Sequence, residues 1–195
     1  MSELICLEDL FRYIDEKIKT NKKCIIAIDG NACGGKTTLG EYLKEKYDAT
    51  LIHIDDFYKP RNKNLTLDLN SKEGNINYPR FKNEIIDKLK DENLIYNKFN
   101  CSKQELENPE VLKLKPLIII EGTYSLNPRL HRYYDVSIFV EISDELQKNR
   151  LKKRNPNSYD SFANTWVKLE RNYFKEFDVL LSSDFVINGS NLIEK

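Results

Sequence analysis

The feature that most constrains the fold is a glycine-rich loop near the N-terminus, Gly30-x-x-x-x-Gly35-Lys36-Thr37. The short continuous apolar run at residues 24–28 precedes it and is typical of a strand buried on both faces. Apolar side chains at helical spacing follow it, from Leu39 to Tyr47. A buried strand, a glycine loop and a helix in this order predict a Walker A phosphate loop, in which backbone N–H groups converge on phosphate oxygens at a helix N-terminus.

Each part of this loop has an expected role with a nucleoside triphosphate. Lys36 is placed to reach the β- and γ-phosphates, and the Thr37 hydroxyl is placed to ligate Mg²⁺. We therefore expect ATP and Mg²⁺ as cofactors. The residues predicted to bind the nucleotide are Gly30, Asn31, Ala32, Cys33, Gly34, Gly35, Lys36, Thr37 and Thr38.

The remaining apolar segments predict an α/β sandwich with a parallel sheet, because strands alternate with helices. Further strands are expected at residues 50–54, 117–120, 136–142 and 184–187. Helices are expected over residues 7–18, 81–89 and 162–177, and another is expected after the capping Ser143. Residues 59–77 and 93–115 have the least regular patterns, and both are expected to form loops. The length of 195 residues fits one domain, 1–195.

Two acidic sites follow predicted strands, at the edge of a parallel sheet where ligands gather. Asp55 and Asp56 end the second strand, and Glu121 ends the third. Asp55 is predicted to accept the proton of an acceptor hydroxyl and to touch the metal sphere, with Glu121 on the magnesium side. The alternative is that these are ordinary turn residues. A surface or capping role is expected for Asp56, and a packed neutral ring for His53.

Composition limits the classes of partner. Lys and Arg together number 31, as do Asp and Glu, so the chain lacks the basic excess typical of nucleic-acid-binding domains. Its apolar runs are too short to span a bilayer, and its acidic N-terminal segment is unlike a signal peptide. The four cysteines form no CxxC pair, which predicts reduced thiols, no zinc site and a cytoplasmic location.

With these motifs in order, and with Asp55-Asp-Phe-Tyr58 and Glu121-Gly-Thr-Tyr-Ser-Leu126 among them, the chain resembles the uridine kinase family along nearly its whole length. The resemblance implies a P-loop NTPase three-layer sandwich with a five-stranded parallel sheet in the order 2-3-1-4-5 and a helical lid. It also implies that Asp55 contacts the sugar hydroxyl as the base, that Tyr58 lines the acceptor pocket and that Glu121 helps to hold magnesium.

The acceptor side departs from the family at two positions. Asn77 stands where an Asp usually grips the ribose, and Cys101 stands near the usual place of a base-contacting His. Together with Tyr96 and the family-matched Asp55 and Tyr58, these residues are the predicted substrate contacts. Asn retains hydrogen bonding while Cys is a weak donor, so we expect a ribose-bearing acceptor that is not selectively read as a pyrimidine.

A basic segment, Arg150-Leu-Lys-Lys-Arg154, precedes a helix-breaking Asn155-Pro-Asn157. In related kinases this region is a mobile lid, so the lid is placed at about residues 150–160. At least one of Arg150 and Arg154 is expected to touch the transferring phosphate, because the guanidinium pairs with two oxygens, and Arg171 is a more distant candidate. The alternative is a solvated cationic helix end. The aromatic stripe from Trp166 to Phe177 is expected to be core.

The sequence therefore predicts an ATP-dependent kinase that transfers the γ-phosphate to a small hydroxyl-bearing acceptor, with the ribose 5′-hydroxyl of a nucleoside favoured. A GTPase would need an Asn-Lys-x-Asp motif, and Asn97-Lys98 is followed by Phe99-Asn100. Two alternatives remain. One is a kinase of another metabolite, such as nicotinamide riboside or pantothenate. The other is a non-catalytic nucleotide sensor, which would not need an acceptor-side base.

Overall fold

The computed structural model describes residues 7–21, 23–60 and 74–192. The strands are β1 Cys24–Gly30, β2 Thr50–His53, β3 Asn93–Asn100, β4 Glu105–Lys113, β5 Leu117–Glu121, β6 Val136–Glu141 and β7 Phe185–Asn188. The helices are α1 Leu7–Thr20, α2 Lys36–Tyr47, α3 Tyr78–Glu84, α4 Pro128–His131, α5 Asp144–Arg154, α6 Tyr159–Phe162 and α7 Lys168–Glu176. None of the helices within these residues combines the length and the hydropathy needed to cross a membrane.

Five strands form a parallel sheet in the order β2-β5-β1-β6-β7. When β3 and β4 are left out of the count, this is the expected order 2-3-1-4-5. The central strands are covered on both faces, and every residue of β5 is buried. This double burial explains why the strands are continuous apolar runs.

The two faces of the sheet carry separate apolar cores, which gives three layers. On one face, Ala27 and Ile120 pack with Phe57, Phe81 and Tyr173. On the other face, side chains of β1, β5 and β6 pack with α1 and α2. The buried residues of that second core include Leu10, Ile14, Ile26, Ile28, Leu39, Leu43, Ile119 and Ile138. The α/β sandwich that the sequence predicts is confirmed.

The expectation of loops at residues 93–115 is wrong, because β3 and β4 form an antiparallel hairpin. In β3 the buried Leu94 and Tyr96 alternate with more exposed residues. Nearly all of β4 is exposed, so it lacks the apolar pattern by which a strand is recognised. Of the other expected loop, residues 61–73 lie outside the described part. Near its ends, Tyr58 and Ile76 form an isolated antiparallel bridge.

The segment after the predicted lid departs from the expected single helix over residues 162–177. Helix α6 begins at Tyr159, a π-helical turn follows at Ala163–Val167, and α7 continues from Lys168. Leu169 and Tyr173 are fully buried, as expected of a core stripe. Trp166 lies in the π turn and is only half-buried. Such turns often mark functional positions in helices.

A fully buried carboxylate, Asp29, ties the end of β1 to its surroundings. Its oxygens accept hydrogen bonds from the backbone N–H groups of Gly30 (2.7 Å) and Leu126 (3.0 Å) and from the Tyr173 hydroxyl (2.8 Å). A longer bond comes from the Tyr124 N–H at 3.3 Å. Burial raises the pKa of Asp29 to about 6, although these donors oppose the rise. Asp29 thus joins β1, the segment after β5 and helix α7.

We expect Asp29→Ala to lower the free energy of unfolding by about 3 kcal/mol or more, because it leaves several buried donors without an acceptor. Asp29→Asn preserves the shape of the side chain and part of its hydrogen bonding. Its free energy of unfolding should therefore lie between those of Asp29→Ala and the wild type. Urea denaturation measures both, with the exposed Asp91→Ala as the control, for which a change within about 0.5 kcal/mol is expected. A loss at position 29 no larger than at position 91 would contradict this role.

Candidate active site

A cleft of about 310 Å³ opens at the carboxyl ends of β1, β2 and β5. The phosphate loop forms one wall, the ends of β2 and β5 form the floor, and the hairpin and the lid helices close the other sides. The lining residues are Ala32, Cys33, Gly34, Gly35, Lys36, Thr37, Asp55, Tyr58, Lys59, Asn75, Phe99, Cys101, Gln104, Glu121, Gly122, Thr123, Tyr124, Arg154, Phe162, Trp166 and Glu170.

The phosphate loop adopts the conformation that its glycines allow. Gly30 (φ 138°) comes so close to β6 that an added Cβ would lie 2.1 Å from the Val140 carbonyl oxygen. The Lys36 ammonium donates to the carbonyl oxygens of Gly30 and Asn31, both at 2.9 Å. Of the nine predicted loop residues, those from Ala32 to Thr37 line the cleft. Gly30 and Asn31 do not line it, and their carbonyl oxygens instead hold the Lys36 ammonium.

Glu121, Thr37 and His53 meet beside the loop. The Thr37 hydroxyl lies 3.2 and 3.3 Å from the two carboxylate oxygens of Glu121. His53 pairs with Glu121 across β2 and β5, and its Nδ1 lies 2.5 Å from Glu121 Oε1. This hydrogen bond raises the pKa of His53 above its ordinary value, although burial acts in the opposite direction. The packed ring expected from the sequence is therefore half-buried and hydrogen-bonded to Glu121.

Asp55 lies in a short 3₁₀ turn after β2, with its carboxylate exposed to the cleft. The Tyr58 hydroxyl donates to its Oδ1 at 3.1 Å. Enclosure by the surrounding protein raises the pKa of Asp55 to about 6, and the charge of Glu121 adds to this, while Lys36 opposes it. The carboxylate stays accessible, so it can meet a ligand in the cleft without any rearrangement of the core.

The donor set around Thr37 suits magnesium. It consists of hard oxygen atoms, a hydroxyl from Thr37 and carboxylates from Glu121 and Asp55, which Mg²⁺ prefers. The repulsion between Glu121 and Asp55, visible in the raised pKa of Asp55, is what a bound cation would relieve. Among the described residues no three His, Cys, Asp or Glu side chains form a closed metal cluster. A site completed by phosphate oxygens and water does not need one.

The predicted acceptor residues divide into two groups. Tyr58 and Cys101 line the cleft. Asn77 instead caps helix α3 by accepting from the Arg80 N–H at 3.2 Å. Tyr96 is only 3% exposed and donates to Asp56 Oδ2 at 3.2 Å. The structure therefore does not bring Asn77 and Tyr96 to the cleft, and Asp56 fastens the hairpin.

Further residues of the segment before α3, of the hairpin and of the lid line the cleft, and none of them was predicted to be a site residue. They are Asn75, Phe99, Gln104, Phe162 and Trp166. Phe99 and Gln104 were missed because the hairpin itself was missed. Trp166 was read as part of a core stripe, and its ring centroid lies 6.4 Å from that of Tyr58.

The two lid arginines have different surroundings. Arg154 lines the cleft, with its guanidinium 5.7 Å from the Phe162 ring centroid. Arg150 points instead at the backbone, and donates to the carbonyl oxygens of Cys33 (3.0 Å), Gly189 (3.1 Å) and Ser190 (3.1 Å). Arg171 pairs with Asp144. Of the three, Arg154 is the one that faces the cleft.

No known protein-family model matches the chain. Solved structures with a similar fold include a protein from Bacillus stearothermophilus assigned as a possible uridine kinase, at 17% identity and a TM-score of 0.68, covering 92% of this chain and 100% of that one. A protein from Silicibacter assigned as a fructose transport system kinase gives 20% identity and a TM-score of 0.72, with 93% and 98% covered.

A D-glycerate 3-kinase from Cryptococcus neoformans is also similar, at 12% identity and a TM-score of 0.61, with 96% of this chain and 97% of that chain covered. At these low identities the similarity shows the fold alone. The chain shares its fold with these proteins over almost its whole length, and the three-layer α/β fold that the resemblance to uridine kinases implies is confirmed.

The raised pKa of Asp55 predicts a gain in stability when its charge is removed. Because the folded state raises this pKa from 3.8 to about 6, the folded protein holds the proton more tightly, and ionisation of Asp55 destabilises it as pH rises through this window. We expect Asp55→Asn to raise Tm by a few degrees at pH above about 6, with the gain vanishing below about pH 4. Thermal melts across pH test this, with Asp91→Asn as the control. A lower Tm for Asp55→Asn at neutral pH would contradict it.

Proposed function

We propose that the chain is a cytoplasmic, ATP-dependent kinase of the uridine kinase family, which transfers the γ-phosphate to the ribose hydroxyl of a nucleoside. The observation that carries this proposal is the meeting, in one cleft, of a complete phosphate loop and an exposed carboxylate, that of Asp55. A protein that only binds a nucleotide needs the loop. The accessible Asp55 beside it is the extra group that a kinase uses.

Asp55 is suited to act as the base. A raised pKa brings its proton affinity closer to neutral pH while leaving it ionised at pH 7, which favours acceptance of a proton from an alcohol. The Tyr58 hydroxyl, 3.1 Å from Oδ1, orients the carboxylate and leaves the other oxygen for the acceptor. In phosphoryl transfer most of the rate enhancement comes from positioning and charge stabilisation, so this orientation matters as much as the basicity.

On the phosphate side of the cleft, cationic side chains and a magnesium site serve the triphosphate. Lys36 exchanges its bonds to Gly30 and Asn31 for phosphate oxygens, and the cleft-facing Arg154 approaches from the lid. Thr37 and Glu121, with Asp55 acting through water, would hold Mg²⁺, which when bound would supply neutralisation of the charge that develops on the phosphates. His53 keeps the Glu121 carboxylate turned toward Thr37.

The acceptor wall of the cleft has a chemistry that favours a flat ring attached to a sugar. It is formed by Tyr58, Asn75, Phe99, Gln104, Phe162 and Trp166. Phe99, Phe162, Trp166 and Tyr58 supply aromatic surface, on which a planar base can stack. The amides of Asn75 and Gln104 offer donors and acceptors for hydroxyl and ring groups. A small anionic acceptor such as glycerate would leave this aromatic surface without a partner. A nucleoside therefore suits the wall better than the acceptors of the other kinases with this fold.

Two variants separate nucleotide binding from chemistry. Lys36→Ala removes a charge that meets the phosphates, and we expect a loss of several orders of magnitude in turnover and weaker ATP binding, with the fold retained. Asp55→Asn acts on the acceptor hydroxyl, so we expect a comparable loss in kcat with ATP affinity within about threefold of wild type. Calorimetric ATP binding and steady-state turnover measure both. Near-normal turnover in Lys36→Ala, or unaltered kcat in Asp55→Asn, would contradict the assignment.

The identity of the acceptor is tested by ADP release with uridine, cytidine, adenosine, nicotinamide riboside, pantothenate, fructose and glycerate. We expect turnover with nucleosides and weak discrimination between uridine and cytidine, because Cys101 is a poor hydrogen-bonding partner for a base. Strong selectivity for uridine would contradict the weak base recognition and leave the kinase assignment intact. Turnover with fructose or glycerate alone would contradict the assignment of a nucleoside as the acceptor. ATP binding without turnover of any acceptor would favour a nucleotide sensor.

A further inference from the structure

Glu170, a carboxylate buried in the wall of the cleft, lies against the phosphate loop. It belongs to helix α7 and is only 2% exposed. Its Oε2 accepts the backbone N–H of Ala32 at 2.7 Å. Its Oε1 accepts from the side-chain amide of Gln147, on helix α5, at 2.8 Å, and the same amide lies 3.3 Å from the Ala32 carbonyl oxygen. Both polar groups of Ala32 are therefore engaged by this pair of side chains.

The next peptide group of the loop is held from the same direction. Arg150, one turn after Gln147 on α5, donates to the Cys33 carbonyl oxygen at 3.0 Å. Cys33 has a positive φ of 58°, which a non-glycine residue adopts only when its surroundings hold it. Helices α5 and α7 flank residues 155–167, which overlap the lid predicted at about residues 150–160, and we call these two helices the lid stems. Side chains of both stems hold the segment Ala32–Cys33 of the phosphate loop.

Burial of a carboxylate is unfavourable, so its presence here needs a reason. Burial raises the pKa of Glu170 and the nearby Asp29 adds to this, while Lys36 and the hydrogen bonds from Gln147 and Ala32 oppose it. An apolar side chain would fill the same space without this penalty, but it would leave the Ala32 N–H unpaired. The carboxylate thus serves the loop rather than the core.

We propose that Glu170, supported by Gln147, is a positioning residue that fixes the phosphate loop at Ala32 and links the loop to the lid. This inference rests on the proposed function, because it concerns the same nucleotide site. Between the two stems lie residues 155–167, which include the π turn at Ala163–Val167 and the cleft-lining Trp166. When a nucleotide binds at the loop, the connection through Glu170 transmits the displacement of the loop to the π turn, and Trp166 moves with it.

The chain carries its own reporter for this link, because Trp166 is its single tryptophan. Titration of the full chain with ADP and with a non-hydrolysable ATP analogue, in the presence of Mg²⁺, should change the Trp166 fluorescence of the wild type. We expect Glu170→Ala to weaken nucleotide binding, measured by calorimetry, by about tenfold, in line with the loss of one charge-assisted hydrogen bond. The fluorescence change at saturation should shrink to less than about half.

Three further variants separate positioning from a general loss of stability. Glu170→Gln can still accept from Ala32 and should restore affinity to within about threefold of wild type. Gln147→Met keeps the hydrogen bond between Glu170 and Ala32 but removes the amide that supports Glu170. Its nucleotide affinity should lie between those of Glu170→Ala and Glu170→Gln. Ser137→Ala also removes a buried hydrogen-bonding group, one that pairs with Asp184 and lies outside the cleft. It should lower Tm while nucleotide affinity and the fluorescence change stay within about twofold.

The results decide between the inference and the function on which it rests. If the wild type binds neither nucleotide, the kinase assignment itself fails. If the wild type binds but Glu170→Ala binds equally well with a full fluorescence change, the positioning role of Glu170 is overturned and the kinase assignment stands. An equal loss in Ser137→Ala would also overturn it. Should Glu170→Ala not fold, Gln147→Met with unaltered affinity and fluorescence is the overturning result.

Discussion

The structure depends on the close approach of backbones around the phosphate loop. Gly30 lies against the Val140 carbonyl of β6, and Gly189, after β7, lies so near Gly34 that an added Cβ would be 2.0 Å from its carbonyl oxygen. A loop that offers its N–H groups to phosphates has few internal hydrogen bonds, so its shape must be fixed from outside. Strands β6 and β7 and the lid stems provide that support, and the sheet order places them there.

The electrostatics of the site centre on one cation. Lys36 lowers the pKa of three enclosed carboxylates, Asp29, Asp55 and Glu170, while enclosure by protein raises each of them. The three carboxylates differ in what they contact. Asp29 meets buried backbone donors, Glu170 meets the loop and Asp55 faces the open cleft. The two buried carboxylates therefore support the fold and the loop, and the accessible one, as we propose, serves proton transfer.

On the acceptor side the hairpin changes the assignment of roles. The regions expected to be loops include strands that carry Phe99 to the cleft and turn Tyr96 into the core. Asp56, next to the candidate base, binds the Tyr96 hydroxyl and so fastens the hairpin beside Asp55. In the proposed function, acceptor specificity depends on how an exposed hairpin packs on a 3₁₀ turn, and such exposed segments vary more in principle than the phosphate loop.

The sequence by itself determined the strand, phosphate loop and helix, the parallel sheet and the acids at its edge, because apolar periodicity and glycine placement are local patterns. It could not identify β4, whose residues are nearly all exposed, nor decide which of Arg150 and Arg154 faces the cleft. Tertiary structure decided these points and revealed Glu170, 138 residues from the Ala32 that it binds. The physical reason is that a side chain's role depends on partners brought close by packing, and their separation along the chain leaves no periodic trace in the sequence.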